Sequence, residues 1–253
     1  DSTPSPLIKF KNIAKAFGSK AVLDDVSFDV KKGEVFFIIG ASGVGKSVLI
    51  KHLIGLLNPD KGEIFLDGHE ISQLDEKGMY PVRKKCAMVF QHSTLFDSMT
   101  CAENVALPLR KHKGLGAKEA LAEANRRLET VHMHEFGGRY PSELGDGMRK
   151  RVAIARALTL DPEYVLFDEP TTSLDPVSAR RVDKLIRELS DKLGVTSIVV
   201  SHDLVSIFSI ADRIVMLYKG CVRLIGTKED FKTSEDGVVK QFINGHATGP
   251  MEL

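Results

Sequence analysis

A glycine-rich segment at residues 40–47 reads G-x-x-x-x-G-K-S and stands between a predicted strand and a predicted helix. The strand is the apolar run at residues 34–39, and the helical pattern extends over residues 45–57. Glycines let such a loop turn tightly and present backbone N–H groups to phosphate oxygens, beside the partly positive helix N-terminus. We therefore predict a phosphate-binding loop, in which Lys46 neutralises the phosphates and the Ser47 hydroxyl holds Mg²⁺. The residues expected to line the phosphates are Gly40, Ala41, Ser42, Gly43, Val44, Gly45, Lys46, Ser47 and Val48.

Two adjacent carboxylates, Asp168 and Glu169, end a second apolar run at residues 164–167. Asp168 suits Mg²⁺, directly or through water, whereas Glu169 points elsewhere and can polarise an attacking water. Alone, this pair would be an ordinary strand end with a solvated acidic cap. Beside a phosphate loop it indicates a site for ATP and Mg²⁺, with Glu169 as a catalytic residue.

The composition excludes little and is typical of an ordinary globular protein. The 35 Lys and Arg residues nearly balance the 34 Asp and Glu residues, which argues against a dedicated nucleic-acid binder. The cysteines Cys86, Cys101 and Cys221 are far apart and form no metal-type pair. No apolar run approaches the roughly 20 residues that span a bilayer, and no secretory signal is recognisable at the N-terminus. If the protein works on a membrane, we expect a partner to supply the membrane part.

Strand and helix patterns alternate along the chain, which predicts an α/β fold with a mostly parallel core. Strands are predicted at residues 7–13, 22–30, 34–39, 62–67, 86–91, 164–167, 196–200, 213–217 and 222–225. Residues 117–131 and 176–193 have helical patterns, and the region from 92 to about 150 is interpreted as a mostly helical insertion. The predicted division is therefore a core at residues 1–91 and 151–227, a helical subdomain at 92–150, and a C-terminal extension at 228–253.

Further segments, in the same order along nearly the whole chain, resemble the ABC ATPase family. They are Phe17, Gln91, the loop ending at Asp175, and His202 after a predicted strand. The resemblance implies a P-loop ATPase core with a mixed sheet and a helical subdomain. It also implies that Phe17 stacks on adenine, that Gln91 reaches the metal and attacking water, and that His202 contacts the γ-phosphate. The alternatives are a core phenylalanine, a surface glutamine and a structural histidine.

Segments outside the ATP chemistry resemble one branch of that family, the Mla branch, whose members are ATPases of MCE-type phospholipid transporters. These segments are residues 92–100, 103–105, 108–110, 241–245 and 249–250. The resemblance implies an ATP-sandwich dimer of two copies at the cytoplasmic face of the inner membrane. It further implies a membrane permease, an MCE-domain protein and a small regulatory subunit as partners, and no nucleic acid.

The C-terminal extension contains a short apolar set in a polar, glycine-containing end. Its members include Phe242 and Ile243, which a merely disordered tail would not need. We expect these side chains to dock on another subunit, with packing on their own domain as the alternative.

The signature loop departs from the family pattern Leu-Ser-Gly-Gly-Gln, which ends in Met in the Mla branch. Here it reads Leu144, Gly145, Asp146, Gly147 and Met148. In the family this loop faces the γ-phosphate bound to the other subunit. Gly145 supplies no hydroxyl, and a carboxylate at Asp146 would repel the phosphate if it faced it. The alternative is that Asp146 caps the following helix and ATP is tolerated.

These features fit three functions. The first is a transporter motor, whose hydrolysis is impaired if Asp146 faces the phosphate. The second is an ABC ATPase without a transporter, and the third is an ATP-binding regulatory subunit with little turnover.

Overall fold

The computed structural model of the protein describes residues 6–251. The strands within this range are β1 Pro6–Phe17, β2 Lys20–Lys31, β3 Val35–Ile39, β4 Lys61–Leu66, β5 His69–Glu70, β6 Cys86–Val89, β7 Tyr164–Asp168, β8 Thr196–Val200, β9 Arg213–Tyr218 and β10 Cys221–Gly226. The helices are α1 Lys46–Leu53, α2 Glu76–Lys85, α3 Cys101–His112, α4 Ala117–Thr130, α5 Asp146–Ala157, α6 Pro176–Leu193, α7 Leu204–Ile210, α8 Lys228–Lys232 and α9 Gly237–Asn244.

The central sheet has the strand order β10-β9-β3-β8-β7-β6. Its strands run parallel except for β10, which pairs antiparallel with β9. Strands β3 and β8 are buried along their whole length, as expected for apolar runs covered on both faces. The predicted α/β fold with a mixed sheet is therefore confirmed.

The register of the central sheet brings three loops to one edge. Ile38 of β3 and Asp168 of β7 both pair with Val200 of β8. Because the carboxyl ends of neighbouring parallel strands meet at the same edge, the loops that follow these strands lie side by side. In α/β sheets this edge is where ligands bind.

A second, antiparallel sheet has the order β2-β1-β4-β5. Its buried face and one face of the central sheet share a hydrophobic cluster that includes Phe10, Phe28 and Phe36, whose rings stack. The long pairing of β1 with β2 carries Phe17 at its hairpin end, where the ring is 48% exposed. Since the ring is exposed, the alternative that Phe17 is a core side chain is wrong.

Helices α3, α4 and α5 form the helical region that follows β6. A capping box at Thr100 starts α3, and the fully buried Asn104 side chain donates to the carbonyls of Phe96, Met99 and Thr100. These bonds fix the backbone that enters the region. Helix α5 continues to Ala157, so the boundary predicted at residue 150 falls inside a helix.

The C-terminal extension packs on its own domain as far as residue 251. A second hydrophobic cluster contains Phe37 of β3. Phe231 and Val239 are fully buried in this cluster, and Phe242 and Ile243 pack against it. The Met251 N–H donates to Gln241 Oε1 at 2.6 Å, which holds the end of the chain against α9. These contacts agree with the alternative that Phe242 and Ile243 pack on their own domain. Residues 1–5 and 252–253, which belong to the predicted core and extension, lie outside the described residues.

Between residues 6 and 251, no helix combines the length and apolarity needed to cross a bilayer.

His52 gives a pH-dependent stability prediction. It lies on α1 and is 3% exposed. Burial, assisted by nearby Lys15, lowers its pKa from 6.5 to about 4. The unfolded chain therefore takes up this proton first, so stability that is present above pH 6.5 is lost as the pH falls towards 4. The loss amounts to about 3 kcal/mol at most.

His52→Leu should remove that part of the acid sensitivity and leave stability at pH 7 equal or higher. Urea unfolding at pH 7 and pH 5 measures the free energy of unfolding of each protein, and His69→Leu, at an exposed position, is the control. An unchanged pH dependence in His52→Leu would show that the buried ring contributes nothing to it.

Candidate functional site

The phosphate-loop segment connects β3 to α1 through a backbone that requires glycine at two positions. Gly40 has φ 142° and Gly45 has φ 98°. A Cβ at Gly40 would lie 2.4 Å from the Leu217 carbonyl oxygen, and one at Gly45 would lie 2.5 Å from the Leu23 side chain. The loop thus follows its path only with these glycines. Val44 and Val48 anchor the loop by packing against the hydrophobic cluster that includes Phe10, Phe28 and Phe36.

Lys46 is the first residue of α1 and is nearly fully buried. Its ammonium donates to the carbonyl oxygens of Gly40 at 2.7 Å and Ala41 at 2.9 Å. Burial lowers its pKa, and the nearby carboxylates of Glu169 and Asp168 oppose that change. No acidic residue stands in the first turn of α1 to neutralise the positive helix end. A buried cation and an uncompensated helix N-terminus together form an anion site.

Two of the three side chains predicted to reach Mg²⁺, Ser47 and Asp168, are in contact. The Ser47 hydroxyl donates to Asp168 Oδ1 at 3.0 Å, which joins the start of α1 to the end of β7. Hard oxygen donors of this kind fit Mg²⁺, which usually takes one or two protein ligands together with phosphate and water oxygens. Among the described residues, no cluster of three or more His, Cys, Asp or Glu forms a self-sufficient metal site. The donor set therefore fits a metal that is completed by a phosphate ligand.

Glu169 is held by its backbone N–H and by one oxygen of its carboxylate. Its backbone has φ 49°, and its N–H donates to the Val200 carbonyl at 2.9 Å. One carboxylate oxygen, Oε2, accepts from the Thr172 hydroxyl at 3.2 Å and lies 2.9 Å from His202 Nδ1. The structure thus brings Glu169 and His202 into direct contact. The sequence reasoning did not identify Thr172.

A charged cluster supports the loop that carries His202. The Asp203 carboxylate caps α7 and accepts from Arg180 of α6 at 2.5 Å and from the Thr171 hydroxyl at 3.2 Å. Asp175 caps the start of α6 by accepting from the Ser178 N–H at 2.9 Å. Hydrogen bonds from the Ser178 side chain and backbone lower the pKa of Asp175. The loops that follow β7 and β8 are therefore tied to one another through α6.

Gln91 and Asp146 of the signature loop line a cleft of about 460 Å³. Its lining includes Gln91, Asp146, Arg149, Lys150 and the residues 172–174. Lys150 is buried, and burial lowers its pKa to about 8 while Asp146 and Asp168 oppose the change. Of the predicted site residues, Gln91 and Asp146 therefore share this cleft.

The start of helix α5 does not match the alternative in which Asp146 caps this helix. Helix α5 begins at Asp146, so its cap is Gly145, which provides no side-chain hydrogen bond. The Asp146 carboxylate instead pairs with Arg149, one turn further along the helix. The alternative that Asp146 caps the helix is therefore wrong. Leu144 is buried, and a Cβ at Gly147 would lie 2.7 Å from the Ser178 side chain, so this signature glycine permits close packing on α6.

The ABC transporter family profile matches residues 23–172. The chain belongs to the ABC transporter family. It is thus an ATP-binding subunit of a transporter, from a family that binds and hydrolyses ATP.

Curated relatives extend over nearly the whole cassette. This chain is 40% identical to the intermembrane phospholipid transport system ATP-binding protein MlaF of Haemophilus influenzae, over 98% of this chain and 94% of the relative. MlaF of Escherichia coli K12 is 37% identical over 97% of this chain and 91% of the relative. The probable ribonucleotide transport ATP-binding protein mkl of Mycobacterium leprae is 37% identical over 97% of this chain and 71% of the relative. The resemblance to the Mla branch is confirmed.

Solved structures agree with this assignment. CbiO1 of Clostridium perfringens, part of the ABC transporter complex cbiONQ, matches with a TM-score of 0.84 and 29% identity over 96% of both chains. The ATP-binding cassette MJ0796, described as a dimer in a post-hydrolysis state with ADP and Pi, matches with a TM-score of 0.77 and 32% identity over 87% of this chain and 98% of that one.

Proposed function

We propose that this cassette hydrolyses ATP to drive phospholipid transport between bacterial membranes. The observation that carries the enzymatic part is the contact between Glu169 and His202 beside the phosphate loop, with Ser47 and Asp168 joined next to it. The similarity to MlaF proteins over nearly the full length supports the lipid-transport part. The partners are a second copy of the chain, a membrane permease, an MCE-domain protein and a small regulatory subunit. The complex works at the cytoplasmic face of the inner membrane.

Each side chain has a role in this proposal. Lys46 leaves its loop carbonyls to neutralise the β- and γ-phosphates, and Phe17 stacks on the adenine from the exposed end of its hairpin. Ser47, Asp168 and Gln91 hold Mg²⁺. When bound, this ion neutralises charge on the phosphate oxygens.

Hydrolysis is assigned to Glu169 and His202, which follow β7 and β8. Glu169 orients and polarises the water that attacks the γ-phosphate, while His202 holds the carboxylate and contacts the phosphate. Asp175 and the signature residues Leu144, Gly145, Asp146 and Gly147 act across the dimer on the nucleotide of the other copy.

The signature loop supports a second candidate function. Gly145 and Asp146 place a carboxylate and no hydroxyl at the helix end that would face the partner's γ-phosphate. We infer impaired hydrolysis from this loop, which in the extreme makes the chain an ATP-binding regulatory subunit with little turnover.

Isolation of the tagged chain from its native membrane tests the proposal. We expect a polytopic permease and an MCE-domain protein to accompany it, and the reconstituted complex to move labelled phospholipid between vesicles in an ATP-dependent way. Isolation without any membrane protein would favour an ABC ATPase without a transporter. An intact complex that binds ATP but does not turn it over would favour the regulatory subunit.

Lys46→Ala should weaken ATP binding by roughly 10- to 150-fold, because charge-assisted hydrogen bonds contribute about 1.5–3 kcal/mol. Titration of the isolated chain with a fluorescent ATP analogue measures this change. Lys51→Ala removes the same charge from the same helix outside the loop, and it should bind like the parent. Equal affinities in all three proteins would remove Lys46 from the phosphate site.

A further inference from the structure

Lys150 joins the signature helix to the segment that carries Gln91. Its side chain is buried on α5, and its ammonium donates to the carbonyl oxygens of Phe90 at 2.8 Å and Gln91 at 2.6 Å. These oxygens belong to the two peptide units on either side of the Gln91 Cα atom. Because each peptide unit is planar, holding both of them sets the backbone torsions of Gln91 and leaves only its side chain free to rotate.

A second side chain of α5 holds the far end of the same segment. The Arg156 guanidinium donates to the Thr94 carbonyl and to the Thr94 hydroxyl, both at 3.0 Å. Thr94 has φ 45°, so this bend is a conformation that a β-branched residue rarely adopts. Two cations of one helix therefore hold residues 90–94 at both ends.

Helix α5 begins at the signature loop, and Lys150 lies one turn after Asp146. The Gln91 side chain itself is exposed in the cleft between the loop and the core. We propose that Lys150 is a positioning residue that makes the backbone of Gln91 move with the signature helix. A displacement of the signature loop on the partner's nucleotide is thereby transmitted to Gln91. The inference rests on the proposed roles of Gln91 and of the signature loop.

The pair of bonds distinguishes this role from ordinary packing. A buried lysine that only filled space would be replaceable by a methionine of similar length without effect on Gln91. A positioning residue acts through Gln91, so its loss has no consequence once the Gln91 side chain is gone. A double-mutant cycle measures this dependence.

The experiment uses the assembled complex with four forms of the chain: parent, Lys150→Met, Gln91→Ala and the double mutant. We expect Lys150→Met to lower kcat by roughly 10- to 100-fold with the KM for ATP within about twofold, since a small misplacement of a catalytic contact costs up to about 100-fold. In the Gln91→Ala background the same substitution should change kcat by less than about twofold. Lys113→Met, an exposed lysine of the same helical region, is the matched control and should act like the parent.

The outcomes distinguish the positioning role of Lys150 from the proposed role of Gln91. Equal losses from Lys150→Met in both backgrounds would overturn the positioning role and leave the function of Gln91 intact. A Gln91→Ala protein with parental kcat would overturn both the positioning role and the proposed role of Gln91. If thermal unfolding shows that Lys150→Met does not fold, Lys150→Gln, which keeps an N–H donor, enters the same cycle and must show the same dependence on Gln91.

Discussion

Glu169→Gln is expected to lower steady-state ATP hydrolysis of the assembled complex by roughly 100- to 10,000-fold, the usual contribution of a positioned general base. The amide keeps the shape of the side chain and its contact with Thr172, but it no longer polarises the attacking water. ATP binding should persist, because the phosphate contacts come from Lys46 and the loop around it.

Two measurements on the same preparations check this expectation. ATPase rates and equilibrium ATP binding are compared for the parent, Glu169→Gln and Glu163→Gln. Glu163 immediately precedes β7, at the opposite end of the strand from Glu169, and its carboxylate pairs with Lys85. Its substitution therefore controls for the loss of a negative charge near the same strand. A Glu169→Gln complex that hydrolyses ATP within about twofold of an active parent would exclude Glu169 as the base.

The sequence predicted the bounds of some elements closely because their ends carry local signals. Helix α6 begins and ends where expected, since Asp175 caps it, Pro176 occupies its first position and Gly194 ends it in the left-handed conformation. The phosphate loop was equally clear, since its glycines are required by local backbone geometry. Such features depend on residues that are neighbours along the chain.

Other features depend on contacts between distant segments and could not be predicted in the same way. The bonds from Lys150 to the Gln91 segment join residues about 60 positions apart. The packing of Phe242 and Ile243 depends on contacts with segments distant in the sequence, and both alternatives were compatible with the pattern. The contact between His202 and Glu169 follows from the order of β7 and β8 in the sheet, which no local motif specifies.

Gly145→Ser combined with Asp146→Gly should raise the ATPase rate of the assembled complex. If the Asp146 carboxylate faces the partner's γ-phosphate, two unit charges about 4 Å apart repel by roughly 4 kcal/mol at an effective dielectric of 20. Relief of about 2–4 kcal/mol corresponds to roughly 30- to 1000-fold in rate. We expect the lower end of this range, because Arg149 already pairs with Asp146 and offsets part of its charge. ATP affinity of the isolated chain should barely move, since this loop acts on the other copy's nucleotide.

The local geometry accepts both substitutions. Gly145 has φ −69°, and a Cβ there would meet nothing within 4 Å, so serine fits without strain. Glycine at residue 146 loses helix propensity of about 1 kcal/mol at most, at the first position of α5 where the cost is smallest. A change in rate is therefore attributable to the chemistry of the loop rather than to a distorted backbone.

Charge and shape are separated by a second pair of substitutions. Asp146→Asn keeps the size of the side chain and removes its charge, so it should give most of the increase if repulsion is the cause. Arg149→Met should lower the rate in the parent, because it leaves the Asp146 charge uncompensated, and should have little effect beside Asp146→Asn. Equal ATPase rates for the parent, Asp146→Asn and the restored loop would mean that the carboxylate does not face the phosphate. The pairing with Arg149 would then be sufficient to turn Asp146 away from the nucleotide, and the altered signature would be compatible with full hydrolysis.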